Sequence, residues 1–363
     1  MLRRPLALLV LAVALSASAC AQVLWKDALR QPESWYATAE ARALASTVIL
    51  YQHESGGWPK NTDFSRPPTK NQLEQIRRGA NAPTIDNGAT TTPMGFLARV
   101  VSARGTASPS AAREARAAFE RGFDYLLAAQ YENGGWPQFF PLREGYYTHI
   151  TYNDQAMVNV LTLLRDASRG EPPYAFVDAP RRARAAAAVA KGIECILRTQ
   201  VKQKDRRTAW CAQHDEKTLQ PAWARKYEPP SLSGSESVGI VRFLMAIEKP
   251  SPEVIAAVEG AVAWFAKVKL TGLRLEKARD ASGRSDRRVT ADTSASPLWA
   301  RFYELGTDRP LFLDRDSVPH YDYSEITRER RTGYAYYGSW PDSLLEKDYP
   351  RWRQRLGLAA PSP

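Results

Sequence analysis

The chain has 363 residues, of which 44% are hydrophobic, and it carries a formal net charge of +11. This length and composition can supply a sizeable buried core, and they exclude an intrinsically disordered protein. The Lys and Arg residues are spread along the chain without a dense run, which argues against a nucleic-acid-binding arm and favours a groove for an anionic partner. Beyond the N-terminus, no apolar segment is long enough to span a bilayer.

The N-terminal segment, residues 1–21, has the layout of a secretory signal peptide: Arg3 and Arg4, then an apolar run, then small residues. We therefore predict a secreted or periplasmic protein whose mature part, residues 22–363, is a single domain and a monomer. Cys20 offers an alternative, because it could carry a lipid anchor at the mature N-terminus.

Two cysteines remain in the predicted mature chain, Cys195 and Cys211. They lie 16 residues apart (211 − 195) and could pair in an oxidising compartment, so the sequence leaves a disulfide open. Neither has the spacing of a zinc ligand. The histidines also share no metal-ligand spacing, and none lies beside an evident nucleophile and orienting partner.

Apolar residues recur with helical periodicity along most of the chain. Capping and proline signals mark several starts: Ser110 precedes one helix, and Ser251-Pro252-Glu253 opens another. The predicted helices cover residues 34–52, 93–104, 110–130, 154–164, 180–200, 236–248 and 251–269.

The C-terminal part follows a different pattern. Beyond residue 271 the sequence breaks into charged turns, and 298–305 is predicted as a short helix. Residues 308–337 are rich in Asp, Arg and Tyr, and we expect this aromatic segment to fold back on the helices. Few stretches alternate as strands do, so β structure should be minor and confined to loops.

A loop motif is repeated in the first half of the chain. QHESGGWP at 52–59 returns as QYENGGWP at 130–137, an offset of 78 residues (130 − 52), and Trp210 begins a fainter third copy. The recurring unit is helix, long loop, helix, and such units bury their apolar faces only against neighbours. We therefore predict a mainly all-α fold, an α/α barrel (toroid) of about three helical-hairpin repeats with a cleft walled by the long loops.

Each of the first two loops carries a polar pair just before an apolar run, Asp86-Asn87 and Asn153-Asp154. In a closed barrel these side chains would face one cleft, and their oxygen atoms are of the type that Ca²⁺ prefers. The simpler interpretation is that Asp86-Asn87 forms only a turn and Asp154 only a helix cap. The duplicated context gives a calcium site comparable weight.

Cationic side chains are expected near the same cleft. Arg225 and Lys226 lie on a loop stiffened by the prolines that follow, although a basic pair is usually only a solvated surface feature. Arginine binds carboxylates in a bidentate manner. Further arginines follow downstream: Arg301, Arg309, Arg315, Arg328, Arg330 and Arg331.

Two other functions remain open on these residues. Paired carboxylates also suit a glycosidase, for which Asp86, Asp154 and Glu236 are candidates. The aromatic residues of the loops could stack on sugar faces, so a non-catalytic protein that binds an acidic polysaccharide is a third hypothesis.

With these residues assembled, the chain resembles family 10 pectate lyases over about residues 35–345. The matching stretches are GGWPKNTDF, TIDNGATTT, GGWPQFFPLREGYYTHITYNDQAM, QPAWARKYEPPSLSGSES, FYELGTDRPLFLDRD and YDYSEITRERRTGYAYYGSWP.

The resemblance implies an α/α barrel that cleaves polygalacturonate, an acidic polysaccharide, by calcium-dependent β-elimination. It implies that Arg225 is the base and that Asp86, Asn87 and Asp154 lie near the calcium. Arg301 and Arg315 would bind uronate carboxylates.

Arginine is an unusual base, because its guanidinium group is ordinarily protonated. Arg225 could serve only through a neutral minority or with a pKa lowered by neighbouring cations. We therefore predict an alkaline optimum, with Lys226 or Lys60 as the substitute candidates for the base.

Overall fold

The computed structural model describes residues 23–79, 81–103 and 109–359. The predicted signal peptide and Cys20 lie outside these residues. Within the described part of the chain, no helix combines the length and hydropathy needed to cross a membrane.

Ten α-helices are described, and most follow the predicted ones with ends that differ by a few residues. Thr38, Asp178 and Ser251 cap α1, α6 and α8 by accepting a backbone N–H with their side chains. The helices are α1 Ala39–Leu50, α2 Lys70–Arg77, α3 Thr91–Ser102, α4 Pro109–Ala128, α5 Ala156–Arg169, α6 Ala179–Thr199, α7 Glu236–Met245, α8 Pro252–Lys267, α9 Arg328–Gly333 and α10 Tyr349–Arg355.

Two predicted helix starts are corrected by the structure. Ser110 lies inside the first turn of α4, which already begins at Pro109, so it is not the cap. Asp154 belongs to a separate 3₁₀ turn, and α5 begins two residues later at Ala156. Helix α2, inside the first long loop, was not predicted, and a capping box at Thr69 and Gln72 starts it.

The helices form two layers. In the inner layer α3 contacts α5 and α5 contacts α7, while α4, α6 and α8 contact one another in that order outside. The inner helices are more completely covered: eight of the ten residues of α7 are buried, against seven of the 21 residues of α6. Each inner helix packs on the outer helix that follows it, α3 on α4, α5 on α6 and α7 on α8, and α1 completes the outer layer. This arrangement confirms the predicted α/α barrel.

Buried tryptophans repeat the same contact after each outer helix. Each indole N–H donates to a backbone carbonyl near the end of the preceding outer helix, and this ties the start of each loop to the barrel. The pairs are Trp58 to Val48 (2.8 Å), Trp136 to Leu126 (2.7 Å), Trp210 to Ile196 (2.7 Å) and Trp299 to Phe265 (2.8 Å).

All twelve strands described pair antiparallel in two-stranded sheets, and they lie in loops or in the C-terminal part. Ten of them have only two residues, which confirms the minor β content. The pairs are Ile150–Thr151 with Gln213–His214, Lys202–Gln203 with Arg206–Arg207, Leu232–Ser233 with Phe302–Tyr303, Leu273–Arg279 with Ser285–Ala291, Trp299–Ala300 with Tyr337–Gly338, and Phe312–Leu313 with Pro319–His320.

The predicted short helix at 298–305 is wrong. Trp299–Ala300 and Phe302–Tyr303 are strands whose four residues are all buried, and each pairs with a distant segment. Aromatic residues that are buried on both faces of a sheet favour strands. The strands with which these two segments pair lie far along the chain, so the local sequence does not reveal them. The hairpin Leu273–Arg279 with Ser285–Ala291 replaces part of the region predicted as charged turns.

The main hydrophobic core joins the helices, and a smaller cluster lies beside it. Tyr323 and Tyr336 of the C-terminal aromatic segment pack in the smaller cluster with Phe302 and with Tyr227 of the third loop. This segment therefore folds back on the loop end of the barrel, as predicted.

The cysteine pairing that the sequence left open is resolved in the described chain. Cys195 and Cys211 are both buried, and both are free thiols. Burial raises the pKa of Cys195 to about 11. Its thiol is therefore protonated and unreactive near neutral pH.

Candidate active site

Two matching turns place the predicted polar pairs side by side. Asp86–Gly88 and Asn153–Gln155 are both 3₁₀ turns that contact each other, and their middle residues, Asn87 and Asp154, have positive φ values of 51° and 49°. Asn and Asp tolerate this left-handed conformation better than most residues. The structural match is therefore Asp86 with Asn153 and Asn87 with Asp154.

The third repeat supplies a further acid at the same place. In the first two repeats, Asn87 and Asp154 lie three residues after a threonine whose N–H donates to the carbonyl of the repeat's tryptophan (3.1 Å in both). In the third repeat Ser233 N–H makes this contact with Trp210 at 2.8 Å, and three residues later is Glu236. The barrel thus brings Asn87, Asp154 and Glu236 to equivalent positions.

Two cations neutralise the acids of this cluster. Arg301 forms an ion pair with Glu236, whose side chain is 1% exposed, and its Nη2 lies 3.5 Å from Asp154 Oδ1. Lys60 Nζ lies 2.7 Å from Asp86 Oδ2. Burial raises the pKa of Asp154; the charge of Arg301 opposes this shift, while Glu236 and Asp86 add to it.

The chemistry of this cluster fits a hard divalent cation. Asp86 Oδ1 is buried and accepts no hydrogen bond from the described residues, although its other oxygen is bound to Lys60. A buried carboxylate oxygen without a partner is unfavourable unless an ion or water satisfies it. Asp154 and Asn87, in the adjoining turns, offer further oxygen ligands.

Arg225 is held as a cation by Glu228, a residue that the sequence did not single out. Arg225 Nε donates to Glu228 Oε2 at 2.7 Å, a second nitrogen donates to Oε1, and Tyr334 Oη also donates to Oε1 at 2.8 Å. Burial alone would lower the pKa of Arg225, but hydrogen bonds and charge from Glu228 outweigh it and raise that pKa above its ordinary value. Neighbouring cations therefore do not produce the lowered pKa considered for a base.

Two tyrosines bring the predicted arginines together. The guanidinium carbon of Arg225 lies 5.0 Å from the ring centre of Tyr227, and that of Arg315 lies 5.7 Å from the same ring. Arg301 lies 5.0 Å from the ring centre of Tyr334, which packs edge-on against Tyr227. All three predicted arginines therefore border one aromatic pair, which sequence periodicity did not reveal.

The substitute bases have different surroundings. Lys60 Nζ is already bound to Asp86 Oδ2 at 2.7 Å. Lys226 follows Arg225 in the chain and is exposed. Arg225 is therefore the better placed of the three, since it contacts both the aromatic pair and Glu228.

A second group of potential metal ligands lies elsewhere in the loops. His149, Asp215 and Glu216 place ligand atoms within 4.8 Å of one another. Asp215 Oδ1 already accepts three hydrogen bonds from Lys217 and Thr218, and His149 Nδ1 lies 3.1 Å from Glu216 Oε2. These atoms are therefore largely satisfied by the protein itself, unlike Asp86 Oδ1.

The glycosidase hypothesis depends on the same carboxylates. A glycosidase needs one carboxyl group that stays protonated as the acid. Burial raises the pKa of Asp154, as an acid of this kind requires, while the charge of Arg301 opposes the shift, so the ion pairs alone do not decide between the two reactions.

The sequence profile of the pectic acid lyase family ("Pectic acid lyase") matches residues 52–345. No sequence among the curated proteins matches the chain.

Two solved structures are similar to this one. A family 10 polysaccharide lyase from Cellvibrio cellulosa is 36% identical, with a TM-score of 0.73, over 90% of this chain and 95% of that chain. A mutant of the family 10 lyase from the same organism, in complex with trigalacturonic acid, is 35% identical, with a TM-score of 0.73, over 93% of this chain and 99% of that chain. The chain therefore belongs to the pectic acid lyase family, and it is a polysaccharide lyase of the pectate lyase type.

Proposed function

We propose that this enzyme cleaves polygalacturonate by calcium-dependent β-elimination and releases unsaturated oligogalacturonides. The observation that carries the proposal is the opposition of two carboxylates, the buried Asp86 and the more exposed Asp154, to the guanidinium groups of Arg225, Arg301 and Arg315 around one aromatic pair. The similar lyase that binds trigalacturonic acid supports this substrate class. A predicted signal peptide at 1–21 suits a polymer outside the cell.

Asp86, Asn87 and Asp154 are the proposed calcium ligands. Asp86 Oδ1 has no other partner among the described residues, and the left-handed turns bring Asn87 and Asp154 next to it. When bound, calcium would act as a Lewis acid on a uronate carboxylate.

Arg301 and Arg315 are the proposed anchors for uronate carboxylates. Arg315 is exposed, and Arg301 is paired with Glu236 and Asp154 below the Tyr334 ring. Guanidinium groups can bind a carboxylate with two parallel hydrogen bonds, which fixes its orientation as well as its position. Negative charge that develops on this carboxylate during proton removal is stabilised by the same donors.

Arg225 is the proposed base. In its neutral form it would take the proton from the ring carbon next to the uronate carboxylate. The glycosidic C–O bond on the neighbouring carbon then breaks, and a C=C double bond forms between the two carbons. The departing oxygen takes up a proton and becomes a hydroxyl group of the other fragment, and no water is added across the broken bond. Glu228 opposes this role because it favours the protonated guanidinium. The small neutral fraction grows with pH, and this supports an alkaline optimum.

The test is product chemistry. Incubation with polygalacturonate and calcium should increase the ultraviolet absorbance of unsaturated uronides, and a chelator should abolish the increase. Products that carry only saturated new ends would contradict β-elimination and support hydrolysis. Polymer binding without any change in chain length would indicate a binding protein instead.

A further inference from the structure

Beside the proposed active site lies a pocket of about 970 Å³ that the catalytic proposal does not use. It is formed by the first long loop, helix α2 and the segment after Trp136, and its volume is in the range typical of ligand sites. Its lining includes Lys60, Arg77 and Arg143, and also Glu54 and Asp63.

The pocket adjoins the proposed calcium site. Lys60 lines the pocket and binds Asp86, the proposed calcium ligand, at 2.7 Å. The wall residue Phe139 pairs through its backbone with Thr84, two residues before Asp86. A chain that extends from the calcium site past Lys60 would therefore reach the pocket.

The two arginines of the pocket are available for a ligand. Arg77 and Arg143 are exposed, and neither forms an ion pair with a carboxylate in the described part of the chain. Arg143 is held over the Tyr147 ring at 4.5 Å, and this contact limits its motion. The pocket carboxylate of Asp63 does not pair with either arginine and accepts a hydrogen bond from the backbone N–H of Ser65 at 3.0 Å.

Uncharged groups in the lining suit a sugar ring. Tyr51 and Phe139 contribute buried aromatic walls, which can pack against the apolar face of a sugar. His53 also lines the pocket, is 6% exposed, and its Nε2 has no hydrogen-bond partner among the described residues. A buried imidazole nitrogen of this kind is stabilised when a hydroxyl group or water bonds to it.

We propose that this pocket is a distal subsite for acidic sugar units of the same polymer, with Arg77 and Arg143 binding carboxylates away from the bond that is cleaved. The inference rests on the proposed polygalacturonate substrate. Its consequence is a preference for long chains, because a short oligomer held at the calcium site would not reach these arginines.

The experiment compares chain lengths in Arg77→Ala, Arg143→Ala and the double variant. Arg78→Ala is the matched control, since Arg78 is adjacent, exposed and paired with Glu74 at 3.8 Å but does not line the pocket. The double variant should show an increase of about three- to tenfold in KM for long polygalacturonate with little change in kcat. Its rate on trigalacturonate should equal that of the wild type.

Two results would overturn the subsite: an unchanged KM for the polymer, or equal losses on trimer and polymer. Gel electrophoresis through immobilised polygalacturonate measures polymer binding without cleavage. It therefore distinguishes failure of the subsite from failure of the lyase proposal. If the wild type cleaves no uronate chain, the lyase proposal fails, while weaker retardation of the double variant than of Arg78→Ala still supports the subsite. Equal retardation of the two overturns it.

Discussion

Arg225 donates to Glu228, three residues along the chain, with its Nε at 2.7 Å from Oε2. The pair joins the proposed base to a carboxylate whose side chain is 7% exposed, and Tyr334 donates to the same carboxylate. The proposed base is thus stabilised in its protonated form, and its reactivity depends on how strongly Glu228 acts on it.

Replacing Glu228 with Gln should shift the pH dependence of kcat towards lower pH. The carboxylate favours the charged guanidinium and an amide does not, so the pKa of Arg225 falls when the charge is removed. The neutral fraction then grows at a given pH. The pH–rate profile checks this, with Tyr334→Phe as a control that removes one hydrogen bond and keeps the charge of Glu228. An unchanged profile in Glu228→Gln would count against Arg225 as the base.

Arg225→Ala should lower kcat by about 10²- to 10⁴-fold, which is the usual contribution of a general base. Binding of polygalacturonate should be much less affected, because Arg301 and Arg315 remain. The adjacent exposed residue gives the control, Lys226→Ala, which should retain full activity. Loss of activity in Lys226→Ala with a normal rate in Arg225→Ala would transfer the role to the lysine.

Asp154→Asn should remove most of the thermal stabilisation that calcium confers. A ligand present at about 100 times its Kd stabilises the folded state by about 2.7 kcal/mol, and loss of a charged ligand reduces this increment. The measurement is Tm with calcium and with a chelator. Asp215→Asn, in the second acidic group, is the control and should keep the calcium increment. The reverse result would place the calcium at His149, Asp215 and Glu216.

Gly134→Ala should destabilise the fold far more than Gly145→Ala. Both glycines have φ of +92°, so both substitutions carry a backbone strain of about 1–3 kcal/mol. A Cβ at Gly134 would also collide with the carbonyl of Lys191 on α6, whereas nothing lies near the one at Gly145. The free energies of unfolding of the two variants, measured with denaturant, separate the effect of backbone strain from that of the collision. Equal losses of stability in the two variants would contradict the close packing of the loop on α6.

The stability of the fold should fall on acidification below neutral pH because of His214. Burial lowers its pKa to about 4, whereas the unfolded chain has the ordinary value of 6.5. Between these two pKa values the unfolded state therefore binds more protons than the folded state. This lowers the free energy of unfolding by on the order of 3 kcal/mol at pH 4. An NMR titration of His214 checks the cause directly. A pKa near 6.5 for His214 in the folded protein would show that this residue does not contribute to the loss of stability.

The local sequence determined much of the fold. Periodic apolar residues located the helices of both layers, and the repeated Gly-Gly-Trp-Pro loops identified the hairpins, because helical periodicity and turn residues act over a few positions. The strands at Trp299–Ala300 and Phe302–Tyr303 were missed because their partners lie far along the chain. The hairpin Leu273–Arg279 had a local signal, alternating Leu273 and Leu275 before a turn with Gly283, that the charged residues obscured.

The sequence by itself also named the residues of the candidate site, through the duplicated Asp-Asn context and the family resemblance. Only the tertiary structure decided how they are arranged. Glu236 joins Asp154 because a third repeat returns to the same end of the barrel, and Tyr334 reaches Glu228 across 106 residues of sequence. The physical reason is that ion pairs and pKa shifts depend on distances between side chains in space, which closure of the barrel sets and residue spacing does not.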